Sequence, residues 1–252
     1  MNESVRRKQR YMSKALDHYV GYTGSYYNHD KVLKTFGYSC STLAAFIRFL
    51  RLNDGKVLSE SLDKLYGEIS MTRCLTRFIG TTDALEALKN DSWAGDWKDG
   101  RIKSLARFQA WTMVLYHPME HIGYLSYIIP KVFPYNGDWW FARSCLFWLA
   151  YLVADLCICL IKSRELNRME KKALKEIAEA QSEGEREKAE NFLSKVGKLK
   201  FSNKIQFFRN FFYLPNCVNW CYVKPLFPKS LVATLGLSEA IFGLIQNFPR
   251  SN

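Results

Sequence analysis

The residues best suited to chemistry are two histidines, His117 and His121, which lie four positions apart with Glu120 between them. Two histidines at this spacing share one helical face and can bind a metal ion. Here Pro118 distorts the intervening turn, and Glu120 does not occupy the position that the general base has in zinc proteases. We therefore expect no metal site and no cofactor.

The cysteines and the glycines also lack the patterns that accompany catalysis. The pairs Cys157/Cys159 and Cys217/Cys221 do not have the spacing of zinc sites, and seven scattered cysteines indicate reduced thiols. The chain has no phosphate-binding P-loop, no GxGxxG and no GxSxG. No nucleophile is placed beside a base, so we predict that the protein is not an enzyme.

The elements that position these residues centre on one apolar stretch, Trp139 to Ile161, which reads WWFARSCLFWLAYLVADLCICLI. A helix of this length covers about 35 Å, enough for a hydrocarbon core of about 30 Å. Arg143 lies near one end and can extend towards the headgroups, whereas Asp155 lies deeper. The stretch predicts a membrane span; the alternative is a buried helix of a large soluble core.

Composition limits the class of protein. The net charge is +12 and aromatic residues make up 15% of the 252 residues, so an anionic partner is indicated, either acidic lipid or nucleic acid. A mean hydropathy of −0.20 excludes a carrier with many spans. We predict an all-α, membrane-associated protein with amphipathic helices and one or two transmembrane helices.

The chain divides into five segments by charge and apolar pattern. They are a basic N-terminal segment, an amphipathic helical region, a kinked aromatic helix with the main apolar span, a charged helical pair followed by an aromatic interfacial helix, and a C-terminal apolar helix with its tail. Their ranges are 1–29, 30–112, 113–162, 163–229 and 230–252.

The first amphipathic helix is predicted from Asp30, as a cap, to Leu52. Its apolar stripe should enter one leaflet while its basic residues meet anionic lipid. The alternative is that the stripe packs against residues 57–79 as a helical hairpin. The residues predicted to contact the membrane are Lys31, Leu33, Lys34, Phe36, Leu43, Ile47, Arg48, Leu50 and Arg51. The basic start (Arg6, Arg7, Lys8, Arg10 and Lys14) is either a solvated tail or a further lipid contact.

The last apolar helix carries small residues on one face, namely Gly236, Ala240 and Gly243, a pattern that allows helices to pack closely. Glu239 shares this face, so it should point at protein and not at lipid. We expect these four residues to form a helix–helix contact that supports self-association, with Arg143 as one conceivable partner of Glu239.

Four short blocks resemble the peroxisomal-division peroxins, the family of the eleventh peroxin, in its gamma-type branch. The segment Leu115–Ile122 (LYHPMEHI) is similar to the family's aromatic-Pro-x-Glu-His-Ile motif, although Gly123 follows where that branch has Trp. The other blocks begin at Asp30 (DKVLK), Met71 (MTRCLTRF) and Leu235 (LGL, then IFGLIQ). They occur in the family's order and cover roughly residues 30–247.

The resemblance implies an integral protein of the peroxisomal membrane that elongates and constricts the organelle before fission. It also implies self-association into homo-oligomers, contact with fission adaptors and a dynamin-like GTPase, and no catalysis. Within its motifs we expect structural roles for Arg73, Arg77, Pro118, Glu120 and His121, with a kinked, partly embedded helix pair around His117–Ile122.

The sequence leaves two alternative functions and the membrane topology open. A pore or permeability protein for small metabolites is the alternative within the family, and a soluble, basic, nucleic-acid-binding protein is the alternative outside it; we expect no nucleic acid as partner. The resemblance places both termini in the cytosol. The loop 162–229, however, carries 15 Lys/Arg against 8 Asp/Glu, which favours a cytosolic position for the loop itself.

Overall fold

The computed structural model describes residues 16–17, 19–51 and 55–247. Between residues 26 and 247 they form seven α-helices and two short 3-10 turns, Arg77–Ile79 and Ser92–Ala94, and the described residues include no strand. The α-helices are α1 (Tyr26–Phe49), α2 (Gly55–Thr76), α3 (Gly80–Asn90), α4 (Gly100–Ile128), α5 (Gly137–Glu179), α6 (Glu183–Trp220) and α7 (Lys229–Asn247). The predicted all-α fold is confirmed. The predicted basic start, residues 6–14, lies outside the described residues.

Polar caps set the starts of four helices. A side-chain oxygen accepts a hydrogen bond from a backbone N–H in the first turn, which satisfies a donor that has no partner inside the helix. The caps are Ser25 for α1, Asp99 for α4, Asn136 for α5 and Ser182 for α6. The first helix therefore starts before Asp30, and the prediction that Asp30 caps it is wrong.

The helices pack in a closed circuit. Helices α1 and α2 form an antiparallel hairpin, α2 contacts α4, and α4, α5, α6 and α7 follow as successive neighbours. Helix α7 then returns to pack against α1, while α3 lies on α4. The apolar core is shared between neighbours, for example by Met113 and Tyr116 of α4 with Trp148 of α5. Because the circuit closes, side chains from distant parts of the sequence meet in its interior.

Helix α4 is continuous from Gly100 to Ile128 with Pro118 inside it. The predicted pair of helices around His117–Ile122 is therefore wrong: one helix runs through the motif. Proline lacks an amide hydrogen, so it removes one hydrogen bond of the helical ladder. The neighbouring residues Tyr116 and Glu120 are buried against other helices, and this packing holds the helix together on both sides of the proline.

Helix α5 contains the apolar stretch and is the one helix among the described residues that is long and apolar enough to cross a membrane. It has 43 residues, or about 65 Å, so it extends well past the apolar part into the charged residues that follow. The polar Asp155 accepts hydrogen bonds from Gln206 Nε2 (2.5 Å) and Asn210 Nδ2 (2.6 Å) of α6. The Asp155 carboxyl group in the middle of the candidate span therefore faces protein.

The region predicted as a charged helical pair and a separate interfacial helix has a different organisation. The first charged residues belong to α5, and all residues from Glu183 to Trp220 form the single helix α6. Its aromatic second half packs on α7, where the rings of Phe212 and Phe242 stack at 5.5 Å. Helical periodicity in a charged segment does not reveal that two elements are continuous, which is why the boundaries differ.

Candidate functional site

Three sets of buried ion pairs connect the blocks on which the family resemblance was based. The first joins α1 to α2. The guanidinium of Arg73 donates two hydrogen bonds to the carboxylate of Asp30, from Nε to Oδ1 (2.7 Å) and from Nη2 to Oδ2 (3.0 Å). Burial tends to raise the pKa of Asp30, but the hydrogen bonds and charge of Arg73 lower it below its usual value. The pair is therefore charged at neutral pH.

The second set joins the end of α2 to α4. Arg77 donates from Nη2 to Glu120 Oε1 (2.5 Å) and from Nε to Glu120 Oε2 (3.2 Å). The hydroxyl of Tyr116 donates to Glu120 Oε1 at 2.5 Å. The glutamate of the HPMEHI segment thus serves as the buried acceptor for the arginine of the preceding block.

The third set joins α1, α6 and α7. Glu239 is 3% exposed and forms an ion pair with Lys34. Arg209 Nε also donates to Glu239 Oε1 at 2.7 Å, and Arg209 Nη1 donates to Gln246 at 3.3 Å. Glu239 therefore lies in a helix–helix contact within one chain, and its partners are Lys34 and Arg209 rather than Arg143, whose guanidinium lies over the ring of Trp139.

The two histidines of the motif make structural contacts. His121 Nδ1 lies 2.6 Å from the carbonyl oxygen of His117, and the ring of Phe78 meets the ring of His121 edge-on at 5.0 Å. The ring of His117 lies so close to Gly80 that a side chain there would overlap with it. Burial, with the charge of Arg77, lowers the pKa of His117 to about 3, so its imidazole is neutral.

The residues predicted to contact the membrane separate into two groups. Lys31 and Lys34 are 8% and 6% exposed and point into the bundle, so the prediction that they meet lipid headgroups is wrong. Ile47 is also buried, in the face that packs against neighbouring helices. Phe36, Leu43 and Leu50 are exposed, Leu33 is half-buried, and Arg51 is exposed; Arg48 forms an exposed ion pair with Asp63 at 2.8 Å.

The small residues of α7 allow close packing inside the chain. A side-chain carbon at Gly236 would overlap with the ring of Tyr38 on α1. One at Gly243 would lie 3.3 Å from Arg209 Nε on α6, and Ala240 is 2% exposed. The small face therefore brings α7 against two helices of its own chain.

These ion pairs border a cavity of about 640 Å³ in the middle of the circuit. Side chains from every helix of the circuit line it. The lining combines cations, carboxylates and aromatic rings, including Lys31, Arg73, Arg77, Arg209, Asp30, Glu239, Tyr27, Trp93, Trp148 and Tyr151. Sequence reasoning did not identify Arg209, Tyr116 or the pairing role of Asp30. One signal was available: Arg73 and Arg77 lie one helical turn apart in an otherwise apolar setting, and two such cations need buried acids.

The described residues include no group of three or more His, Cys, Asp or Glu side chains that would hold a metal ion. No curated protein and no solved structure matches the chain. The family model described as Peroxisomal biogenesis factor 11 (PEX11) matches residues 16–248 and does not distinguish a branch within the family. This match covers the described bundle with its three sets of ion pairs, and the chain belongs to the PEX11 family, a peroxisomal family known for peroxisome proliferation and division.

Proposed function

We propose that this chain lies in the peroxisomal membrane and elongates it before division by inserting one face of α1 into a single leaflet. The observation that carries the proposal is a row of exposed apolar side chains on the side of α1 away from the bundle. It consists of Phe36, Leu43, Phe46 and Leu50, which are 54%, 49%, 55% and 47% exposed. We name these four residues the outer stripe.

The outer stripe has the geometry of an interfacial anchor. At 3.6 residues per turn its members span about 80° of the helix circumference, so one straight line of contact reaches all four. Burying a large apolar side chain contributes about 1.5–3 kcal/mol. Four side chains that are each about half-exposed therefore supply several kcal/mol for association with the acyl boundary.

Insertion of one face explains how a compact bundle would bend a membrane. Material that enters only one leaflet expands it relative to the other, and the bilayer relieves the difference by curving. Helix α5 would hold the bundle at the surface, since its apolar length suffices for a span. Several copies acting together would raise the curvature, and on this account anionic phospholipid is the first partner and a second copy of the chain is the next.

Recruitment of the division machinery belongs to the same proposal. By family resemblance, the partners are fission adaptors and a dynamin-like GTPase, which would act on the tubule after elongation. The exposed charged parts of α5 and α6, beyond the apolar stretch, offer a surface outside the bilayer for such contacts. No catalytic step by this chain is required, because elongation uses binding energy alone.

The full chain in liposomes that contain anionic phospholipid tests the mechanism. We expect tubules visible by electron microscopy with the wild type. A variant with Phe36, Leu43, Phe46 and Leu50 replaced by Gln should bind through α5 but form few tubules. The matched control replaces four exposed apolar residues elsewhere, Leu58, Leu65, Leu85 and Leu174, which are 53%, 41%, 50% and 52% exposed. Equal tubulation by the outer-stripe variant and the wild type would overturn the proposal.

The same liposomes distinguish the alternative, a pore for small metabolites. The cavity inside the circuit of helices is the observation that favours it. Vesicles loaded with a small dye report flux without any change of shape. Two results together would favour the pore: the wild type forms no tubules, and the outer-stripe variant releases as much dye as the wild type.

A further inference from the structure

Where α1, α6 and α7 meet at the wall of the interior cavity, cations outnumber carboxylates locally. Glu239 is the carboxylate paired with both Lys34 and Arg209. Lys31 lines the cavity beside them and is 8% exposed. Three cations therefore lie around one carboxylate at this end of the cavity, whereas the pairs Arg73–Asp30 and Arg77–Glu120 are each balanced. The lining also contains two further acids, Asp83 and Glu86, on α3.

Lys31 has no anion of its own. Among the described residues no carboxylate lies within ion-pair distance of its ammonium group and no oxygen accepts a hydrogen bond from it. Its closest recorded contact is the ring of Tyr27, whose centroid lies 5.3 Å from Nζ. The side chain as a whole is buried while its residue lines the cavity, so the ammonium group is a donor that an anion in the cavity can accept from.

Arg209 offers a second donor at the same end. Its Nε and Nη1 are bonded to Glu239 and Gln246, and among the described residues Nη2 has no acceptor. A guanidinium edge and an ammonium group together suit an oxyanion, a carboxylate or a phosphate, because such groups accept several hydrogen bonds at once.

Aromatic rings form the rest of the wall. The rings of Trp93 and Tyr151 meet edge-on at 6.1 Å, and Tyr116 and Trp148 do so at 5.2 Å. All four line the cavity. Aromatic walls favour a flat apolar body, and a volume of about 640 Å³ lies in the range of sites for small organic ligands.

We propose that the cavity binds a small organic anion with an aromatic body, whose oxyanion contacts Lys31 and Arg209 and whose ring lies against Trp93 and Tyr151. The proposal is independent of membrane elongation by α1. The bound anion would neutralise the excess charge at the meeting point of α1, α6 and α7, so its presence would tighten the closed circuit.

Binding to the full-length protein in maltoside micelles tests this inference. The probes are 1-naphthoate and 1-naphthyl phosphate, with 1-naphthol as the uncharged analogue and inorganic phosphate as a competitor, and the measurement is equilibrium dialysis. We expect both anions to bind at least about tenfold more tightly than 1-naphthol, the ratio expected for a charge-assisted hydrogen bond. The anion that binds more tightly shows whether the site prefers a carboxylate or a phosphate.

Two variants separate the site from other basic surfaces. Lys31→Met should weaken binding of the anions by about tenfold or more and leave 1-naphthol unchanged, while Lys31→Arg should retain binding. The matched control, Lys64→Met, removes an exposed lysine of α2 and should bind as the wild type does. Circular dichroism and the melting temperature show whether each variant is folded.

Three results would overturn the inference. One is equal binding of the anions and 1-naphthol, which would mean that only apolar contact matters. Another is unchanged anion binding by a folded Lys31→Met variant. The third is no binding of either anion to the wild type at millimolar concentration.

Discussion

At the scale of single residues, the family motifs in this chain consist of charges buried in pairs. Asp30, Arg73, Arg77, Glu120 and Glu239 are spread over more than two hundred positions, yet each has an opposite charge within hydrogen-bond distance. Removing one member of such a pair leaves the other charge buried without a partner. We therefore expect the motif residues to be sensitive to substitution for structural reasons.

The pair Arg77–Glu120 provides a direct test. We expect Glu120→Gln and Arg77→Met each to lower the free energy of unfolding by about 3–5 kcal/mol, because each leaves one buried charge alone. The double variant should be destabilised by less than the sum of the effects of the two single variants. The measurement is a double-mutant cycle from denaturant unfolding in micelles. For the exposed pair Arg107–Asp91 the same cycle should give a much smaller coupling, because solvent screens exposed charges. Equal coupling in both cycles would contradict the role assigned to burial.

Lys31 predicts a pH dependence of stability. Burial, and then the charge of Arg209, lowers the pKa of Lys31 to about 8, compared with about 10.4 in an unfolded chain. Between these values the unfolded state binds more protons, so this residue adds stability as the pH rises. Lys34, Glu239 and Asp30 also face this group, and they are unchanged in a comparison with Lys31→Met.

The melting temperature of the wild type should therefore rise relative to that of Lys31→Met between pH 7.5 and 10. At pH 7.5 the variant should be at least as stable as the wild type, because it no longer buries an unpaired charge. Differential scanning fluorimetry with tryptophan emission follows both proteins over this range. A difference in melting temperature that stays constant across the range would show that burial does not lower the pKa of Lys31.

At the scale of elements, α1 has two faces with different roles. One carries Cys40, Ala44 and Ile47 and packs against α2 and α7, while the outer stripe remains exposed. The hairpin and the membrane anchor are thus not exclusive alternatives for this helix. Its contact with α7 depends on the absence of a side chain at Gly236, where the ring of Tyr38 lies.

Gly236→Ala should destabilise the protein by about 1–3 kcal/mol, since the added carbon forces the ring of Tyr38 to move in a packed interface. Gly197→Ala on α6 is the matched control, because nothing lies within 4 Å of a side chain there. That change should stabilise the protein by up to about 1 kcal/mol, as alanine favours the helix. Denaturant unfolding measures both. Destabilisation of similar size at the two positions would contradict close packing of α1 on α7.

At the scale of the whole molecule, one long helix combines a candidate membrane span with a charged extension. The apolar part of α5 presents Val153 and Leu160 outwards, 48% and 53% exposed, and Asp155 inwards to α6. Farther along, Leu174 is 52% exposed but lies among charged residues. One helix therefore exposes apolar side chains both in its apolar part and, at Leu174, in its charged part, so the two parts can be compared by the same substitution.

Replacement of Leu146 and Val153 by Arg should release the protein from membranes, since both lie near the middle of the stretch Trp139–Ile161 and are 41% and 48% exposed. Each Arg near the centre of a span costs about 2.5–3.5 kcal/mol on insertion scales. Alkaline carbonate extraction of membranes from cells that produce the tagged chain should find the wild type and a Leu174→Arg control in the pellet and the double variant in the supernatant. A double variant that stays in the pellet would show that α5 is not the span.

Composition and periodicity were sufficient to predict several features of this protein. The apolar run after Trp139, the helical spacing along the chain and the order of four short blocks gave the all-α class, the candidate span and the family. These properties are local: a period of 3.6 residues and a run of apolar side chains can be recognised without knowing any neighbour. Element boundaries depend on caps and continuity, and there the prediction failed at Asp30, Pro118 and the charged segment.

The tertiary structure was needed to show what the charged motif residues contact. Arg73 and Asp30 are 43 positions apart, as are Arg77 and Glu120, and no local pattern specifies such pairs. For Lys31 and Lys34, an amphipathic pattern indicates that a lysine lies outside the apolar stripe, but it does not indicate whether water, lipid or a buried carboxylate meets it. That depends on α7 returning to α1, because closure of the circuit is what removes these ammonium groups from solvent.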